Sequence, residues 1–214
     1  MIKEAVILAA GMGTRLPDDM AGKPKGFIIF DRHPIIEESI RKLLKHGIER
    51  IWIVTGYEPQ NFEILTEKYP GSIQTIWNQE FEKSGTMYSL YCVREYVNGL
   101  FLLLESDIIY EEKALKAVIN SPSDECILLS GFTKSGDEVF VETKDNHLVG
   151  MSKEKEQLNS EPSGELVGIV KVSPKLFACM QRHAKEQFVH SLFYDYETDA
   201  LVAAAKEIDI DCLV

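Results

Sequence analysis

The chain has 214 residues, 45% of them hydrophobic and 27% charged, an ordinary make-up for one globular domain with a large core. Its 34 acidic against 23 basic residues give a formal net charge of −11, which argues against nucleic acid as a general partner, because backbone binding needs clustered Lys and Arg. No apolar run approaches the roughly 20 residues that cross a bilayer, and Met1–Glu4 leads into a strand without room for a signal peptide, so no membrane partner and a cytoplasmic location are expected.

Ala5 to Ala10 is an apolar run that reads as a strand buried on both faces. It runs straight into Gly11-Met12-Gly13-Thr14-Arg15, with Pro24 and Lys25 further on. Gly11 and Gly13 let the backbone approach a ligand closely, so main-chain N–H groups can line a phosphate cradle, and Arg15 and Lys25 are cationic donors for phosphate oxygens. A glycine-rich surface turn with two solvated cations fits a bare GxG as well. The loop lacks the Gly-Lys-Ser/Thr ending of a Walker A loop and the third glycine of GxGxxG.

Ile35, Ile36, Ile40, Leu43 and Leu44 form one stripe of a helix that should stop near His46-Gly47. Ile51 to Thr55 reads as the next strand, followed by Gly56 and Tyr57, with helices expected over Gln60–Lys68 and Thr86–Glu95. The hydroxyls of Thr86 and Ser89 lie at the positive end of the second of these, where they can read a pyrimidine edge or receive a phosphate; a plain N-cap is the alternative. Leu100 to Leu104 is a third buried strand that delivers Glu105 and Asp107 to its carboxyl end. A carboxylate there can hold Mg²⁺ whose remaining ligands are phosphates and water, or it can cap the helix beginning near Glu111.

After a strand at Cys126–Leu129, the region from Gly131 to Val172 reads as a strand-rich insertion, with segments at Glu138–Thr143, His147–Ser152 and Leu166–Val172. Helices over Pro174–Glu186 and Tyr196–Glu207 and a final strand over Asp209–Val214 complete the chain. Phe193 to Asp199 offers either aromatic or carboxylate recognition of a cation, or simply an acidic helix start. Strands alternating with helices predict an α/β fold with a doubly wound, mostly parallel sheet that binds ligand at the strands' carboxyl ends. The five histidines are dispersed without a nucleophile elbow, and Cys92, Cys126, Cys179 and Cys212 lack CxxC spacing, so neither a zinc site nor a disulfide framework is indicated.

Leu8-Ala9-Ala10-Gly11-Met12-Gly13-Thr14-Arg15, followed by Pro24-Lys25, resembles the opening motif of the nucleotidyltransferases that activate small phosphorylated compounds. Gly56-Tyr57, Asn78 and the Tyr88-Ser89-Leu90-Tyr91 helix opening narrow the resemblance to the phosphocholine and 2-aminoethylphosphonate cytidylyltransferases, over nearly the whole chain. The resemblance implies a Rossmann-like nucleotidyltransferase fold as a single domain, 1–214, with 131–172 as the acceptor-side insertion. It implies transfer of CMP from CTP to a small zwitterionic phosphonate or phosphate with release of pyrophosphate. Leu8, Ala9, Ala10, Gly11, Gly13, Thr14, Gly56, Tyr57, Thr86 and Ser89 would surround the nucleotide, Arg15 and Lys25 would be catalytic, and Asp107 would bind Mg²⁺. Glu165, Gly168, Tyr194, Asp195, Tyr196 and Glu197 would bind the acceptor.

Two departures matter. Glu105 replaces the first acid of the family's acidic pair, and Val139 stands where the phosphocholine enzymes place a bulky aromatic, which favours 2-aminoethylphosphonate. The family draws a second metal-binding aspartate from a strand near its C-terminus; Asp209 and Asp211 alternate with Ile208 and Ile210 as solvated residues, so that aspartate is expected beyond Val214. A sugar-1-phosphate nucleotidylyltransferase and a non-catalytic nucleotide-binding module remain as alternative readings. Oligomeric state stays open, a homodimer included.

Overall fold

The computed structural model describes residues 2–12 and 23–214. In chain order the strands are β1 (Glu4–Ala9), β2 (Ile29–Phe30), β3 (His33–Pro34), β4 (Arg50–Thr55), β5 (Ile73–Trp77), β6 (Phe101–Glu105), β7 (Cys126–Ser130), β8 (Phe140–Lys144), β9 (His147–Ser152), β10 (Gly164–Val172) and β11 (Asp211–Leu213). The α-helices are α1 (Ile35–Lys45), α2 (Glu63–Lys68), α3 (Thr86–Cys92), α4 (Glu112–Asn120), α5 (Pro174–Phe188) and the single turn α6 (Val202–Ala204).

Nine strands form one sheet in the order β5-β4-β1-β6-β10-β7-β11-β9-β8. The pairings give seven of them one direction, with β9 and β10 reversed, so the expectation of a mostly parallel sheet holds. β1 is buried along its whole length between β4 and β6. Its two faces feed different layers. Val6 and Leu8 join Met87, Leu90, Phe177 and Met180 from α3 and α5 on one side, while Ala5, Ile7 and Ala9 join Ile36, Ile40, Leu43 and Leu115 from α1 and α4 on the other. Burial on both faces is why these strands read as continuous apolar runs.

Local chemistry sets the ends of elements. α1 stops where Gly47 takes φ +84, and the Ile48 and Gly47 amides donate to the carbonyls of Leu43 and Leu44, a Schellman ending that favours glycine. β10 changes register between Leu166 and Val170. Its first half pairs with β8 and its second with β6, and Gly168 at φ +82 lies in the irregular stretch between.

Three expectations change. β5 escaped the sequence reading because only Ile73 is fully buried on this edge strand. α3 ends at Cys92 rather than Glu95, and the stretch expected as one helix from Tyr196 starts as a π-helical turn, Tyr196–Leu201, before α6. The 131–172 segment is also less separate than its label suggests, since β10 inserts between β6 and β7 in the middle of the sheet.

Candidate active site

The carboxyl ends of the neighbouring strands β1 and β6 open into a cleft of about 340 Å³. One wall follows β1, where Leu8, Ala9, Ala10 and Gly11 line the space. Among the described residues, a Cβ on Gly11 would meet nothing within 4 Å. Gly13, Thr14 and Arg15 lie outside the described residues, and nothing here bears on their assigned roles.

Lys25 reaches the cleft because the next residue can press against β6's end. A Cβ at Gly26 would stand 2.9 Å from the Ser106 carbonyl oxygen, so glycine permits the close approach. The Lys25 Nζ then lies 3.6 Å from Asp107 Oδ2, with both side chains about one-third exposed, at 29% and 34%. The two residues predicted to meet the phosphates and the metal therefore face each other across the cleft they both line.

The opposite wall comes from α3. Asn78 is fully buried and donates to Ser84 Oγ and to Ser89 Oγ at 3.1 and 3.0 Å. With one lone pair of Ser89 taken, its O–H remains available as a donor. Phe81 also lines the cleft, and Gly56 explains its position: a Cβ there would stand 2.5 Å from Phe81 Cβ and 2.6 Å from the Ala10 carbonyl oxygen. Gly56 and Tyr57 do not themselves line the cleft; the Tyr57 amide donates to the Ala10 carbonyl at 3.3 Å, so both act as support behind it.

Thr86 is the junction between this wall and the acidic side. Its amide donates to Asp195 Oδ1 at 3.1 Å and its hydroxyl donates to Glu197 Oε2 at 2.8 Å, while the hydroxyl oxygen accepts from the Tyr196 amide at 2.9 Å. Asp195 thus caps α3 from 109 residues away. Gly85 makes room for it, since a Cβ there would stand 2.5 Å from the Tyr194 carbonyl oxygen.

Of the six residues assigned to the acceptor, only Glu197 lines the cleft. Tyr196 is completely buried and its hydroxyl donates to Glu105 Oε1 at 2.7 Å, so it cannot offer an aromatic face to a ligand. Tyr194 packs against the core and accepts the Met87 amide on its carbonyl. Glu165 is buried, accepting from the amide and hydroxyl of Thr133 at 2.9 and 2.6 Å. Asp195 is occupied by Thr86, and Gly168 abuts Glu105, whose Cδ would stand 3.3 Å from an added Cβ.

Electrostatics concentrate at the acidic end. Burial, then the charges of Glu197 and Asp107, push the Glu105 carboxyl up to about 7 against the opposing Tyr196 hydrogen bond. Burial and the Asp195 charge likewise raise Glu197. Lys153, just after β9, was not among the residues assigned from the sequence. Its Nζ lies 3.3 Å from Asp195 Oδ2 and 4.0 Å from Glu197 Oε1, and although burial works against its charge, these two carboxylates raise its pKa. Two cations, Lys25 and Lys153, therefore flank three cleft carboxylates.

Those carboxylates fit a hard divalent cation only in part. Among the described residues, no three cleft carboxylates converge to ligand spacing. Asp107 is partly exposed on the cleft with the Lys25 Nζ beside it, a single carboxylate of the kind that suffices where phosphates and water complete a metal's shell.

A strand-end cleft with glycine-permitted backbone and an opposed Lys and Asp defines a nucleotide-handling α/β protein. Residues 5–191 match the MobA-like NTP transferase domain, and the chain belongs to that family. It is 32% identical over 108 residues to a choline-phosphate cytidylyltransferase of Streptococcus pneumoniae, covering 50% of this chain and 46% of the relative. It is 31% identical over 138 residues to a 2-aminoethylphosphonate cytidylyltransferase of Lancefieldella rimae, covering 64% and 55%. The chain thus spans about half the length of these curated relatives. Its fold is similar to the inositol-1-phosphate CTP transferase of T. maritima, with TM-score 0.79, 20% identity, and 99% of this chain and 85% of that one covered.

Proposed function

We propose that this protein is a CTP-dependent cytidylyltransferase that joins CMP to a small amino-phosphonate or amino-alcohol phosphate and releases pyrophosphate, with 2-aminoethylphosphonate favoured over phosphocholine. The observation that carries the reading is the 3.6 Å approach of Lys25 to Asp107 in the cleft where β1 and β6 end. The cytidylyl transfer named for two relatives supports CTP as donor.

In this reading an acceptor oxygen, already anionic at neutral pH, attacks the α-phosphorus in line and pyrophosphate leaves. No protein nucleophile is needed, so the chain's work is positioning and charge stabilisation. Lys25 holds the triphosphate and the charge that develops on it. Asp107 would hold Mg²⁺, which when bound offsets phosphate charge. The missing side chain at Gly11 lets the nucleotide lie close to β1, and Ser89 offers its O–H from the facing wall.

In this reading the acceptor's cation faces Glu197 and Glu105, and Lys153, paired with Asp195 and Glu197, offsets part of the negative charge at that end. Carboxylates rather than an aromatic cage at this end support a primary amine over a quaternary ammonium, because Tyr194 and Tyr196 do not reach the cleft.

The test is pyrophosphate release with each of CTP, UTP, ATP and GTP against 2-aminoethylphosphonate, phosphocholine and glucose-1-phosphate. The reading expects turnover with CTP and 2-aminoethylphosphonate. Preference for glucose-1-phosphate would replace it with sugar activation, and turnover with none would leave a binding module.

A further inference from the structure

Away from the cleft, α5 and the turn after α6 bring a second set of donors together. Cys179 and His183 are four residues apart on α5 and so share a face, and Glu207 meets them from the end of the chain segment that follows Tyr196–Leu201. One ligand atom from each, Cys179 Sγ, a His183 ring nitrogen and a Glu207 carboxylate oxygen, lie within 4.8 Å of one another. Cys179 is buried, His183 is partly exposed and Glu207 is open to solvent, so the group has a buried floor and an entry side.

A cation already sits among them. Arg182 Nη2 stands 3.2 Å from Cys179 Sγ, 2.6 Å from Glu207 Oε1 and 3.5 Å from His183 Nε2. That nitrogen lies among the three groups, His183 Nε2 is itself 2.8 Å from Glu207 Oε1, and the Arg182 side chain is 53% exposed, free to leave by rotating into solvent.

We propose that Cys179, His183 and Glu207 form a binding site for a divalent transition-metal ion of the Zn²⁺ type, with Arg182 as the cation that fills it when metal is absent. The chemistry is that of a soft-to-borderline ion: one thiolate, one imidazole and one carboxylate, with a water completing a tetrahedron. Charge balances on exchange. The thiol loses its proton to solvent as the sulfur–metal bond forms, so thiolate and carboxylate together neutralise the ion and the guanidinium is no longer required. The bound metal would fasten α5 to the end of the segment whose other end carries Glu197, which lines the cleft. None of the three ligands lines that cleft, so the site stands independently of the reaction proposed above.

The experiment is a titration of the untagged full chain with Co²⁺, read by the near-ultraviolet thiolate-to-cobalt charge-transfer band and then competed with Zn²⁺. A saturable one-to-one band that Zn²⁺ abolishes is expected. Cys179→Ser should remove the band, His183→Gln should weaken binding by more than about tenfold, and Arg182→Ala should tighten it by about tenfold by removing the competing cation. Circular dichroism of each variant separates loss of site from loss of fold. Absence of a band at millimolar Co²⁺, or a band that persists in folded Cys179→Ser, would overturn the proposal. Lys25→Ala should bind the metal as the parent chain does, and a lost band there would also count against it.

Discussion

The Tyr196 hydroxyl donates a 2.7 Å hydrogen bond to Glu105 Oε1, tying the segment after Asp195 to the end of β6. Glu105 is held protonated up to about 7 by burial and by the charges of Glu197 and Asp107, whereas the unfolded chain releases that proton near 4.5. The folded state therefore binds more protons between those values, and the Glu105 contribution to stability falls as pH rises from about 4.5 to 7. In metal-free buffer, Glu105→Gln should gain melting temperature relative to the parent chain on going from pH 4.5 to 8. A difference that stays constant with pH would contradict this account of Glu105.

Thr86 holds three partners with one residue, so removing its hydroxyl should strand a buried carboxylate and an amide. Thr86→Val is expected to cost about 1–3 kcal/mol in denaturant unfolding. Thr86→Ser keeps the hydroxyl and should recover most of that loss. Equal destabilisation by both would place the effect in packing rather than in the bonds to Glu197 and Tyr196.

Gly168 and Gly131 make a matched pair. An alanine at 168 must adopt φ near +82 with its Cβ 3.3 Å from Glu105 Cδ and 3.4 Å from Ile108 Cγ2, which should cost about 1–2 kcal/mol from the backbone alone. Gly131 has nothing within 4 Å of an added Cβ, and Gly131→Ala should stay within about 0.5 kcal/mol. Chemical denaturation of the two variants checks the difference.

Legibility in the sequence followed physical cause. β1, β4, β6 and β7 were readable because burial on both faces writes an unbroken apolar run, and α1 because its stripe ends at a glycine. β5 was not, since an edge strand with one buried residue carries little pattern. At the site, Asp107 was read from its place at a strand's carboxyl end and Lys25 from the loop that follows β1, and the structure puts the two 3.6 Å apart. The acceptor residues were mostly not: Tyr194, Tyr196 and Glu165 are polar residues whose partners lie far along the chain, and local sequence cannot distinguish a hydroxyl aimed at ligand from one aimed at a buried carboxylate. Lys153 was hidden in the same way. Cys179 and His183 carried a four-residue helical spacing, but their partner Glu207 comes from another element.

Lys25→Ala should lower turnover at least about a hundredfold, the scale of losing one charge-stabilising donor in the transition state, while circular dichroism stays unchanged. Near-normal pyrophosphate release by a folded Lys25→Ala variant would remove Lys25 from the reaction.

The most direct test of cytidylyl transfer is ³¹P NMR of the chain incubated with CTP, 2-aminoethylphosphonate and Mg²⁺. The account expects the CTP signals to fall as pyrophosphate appears together with a coupled phosphonate–phosphate pair from the new anhydride. Unchanged CTP, or hydrolysis to CMP and pyrophosphate without the coupled pair, would contradict it.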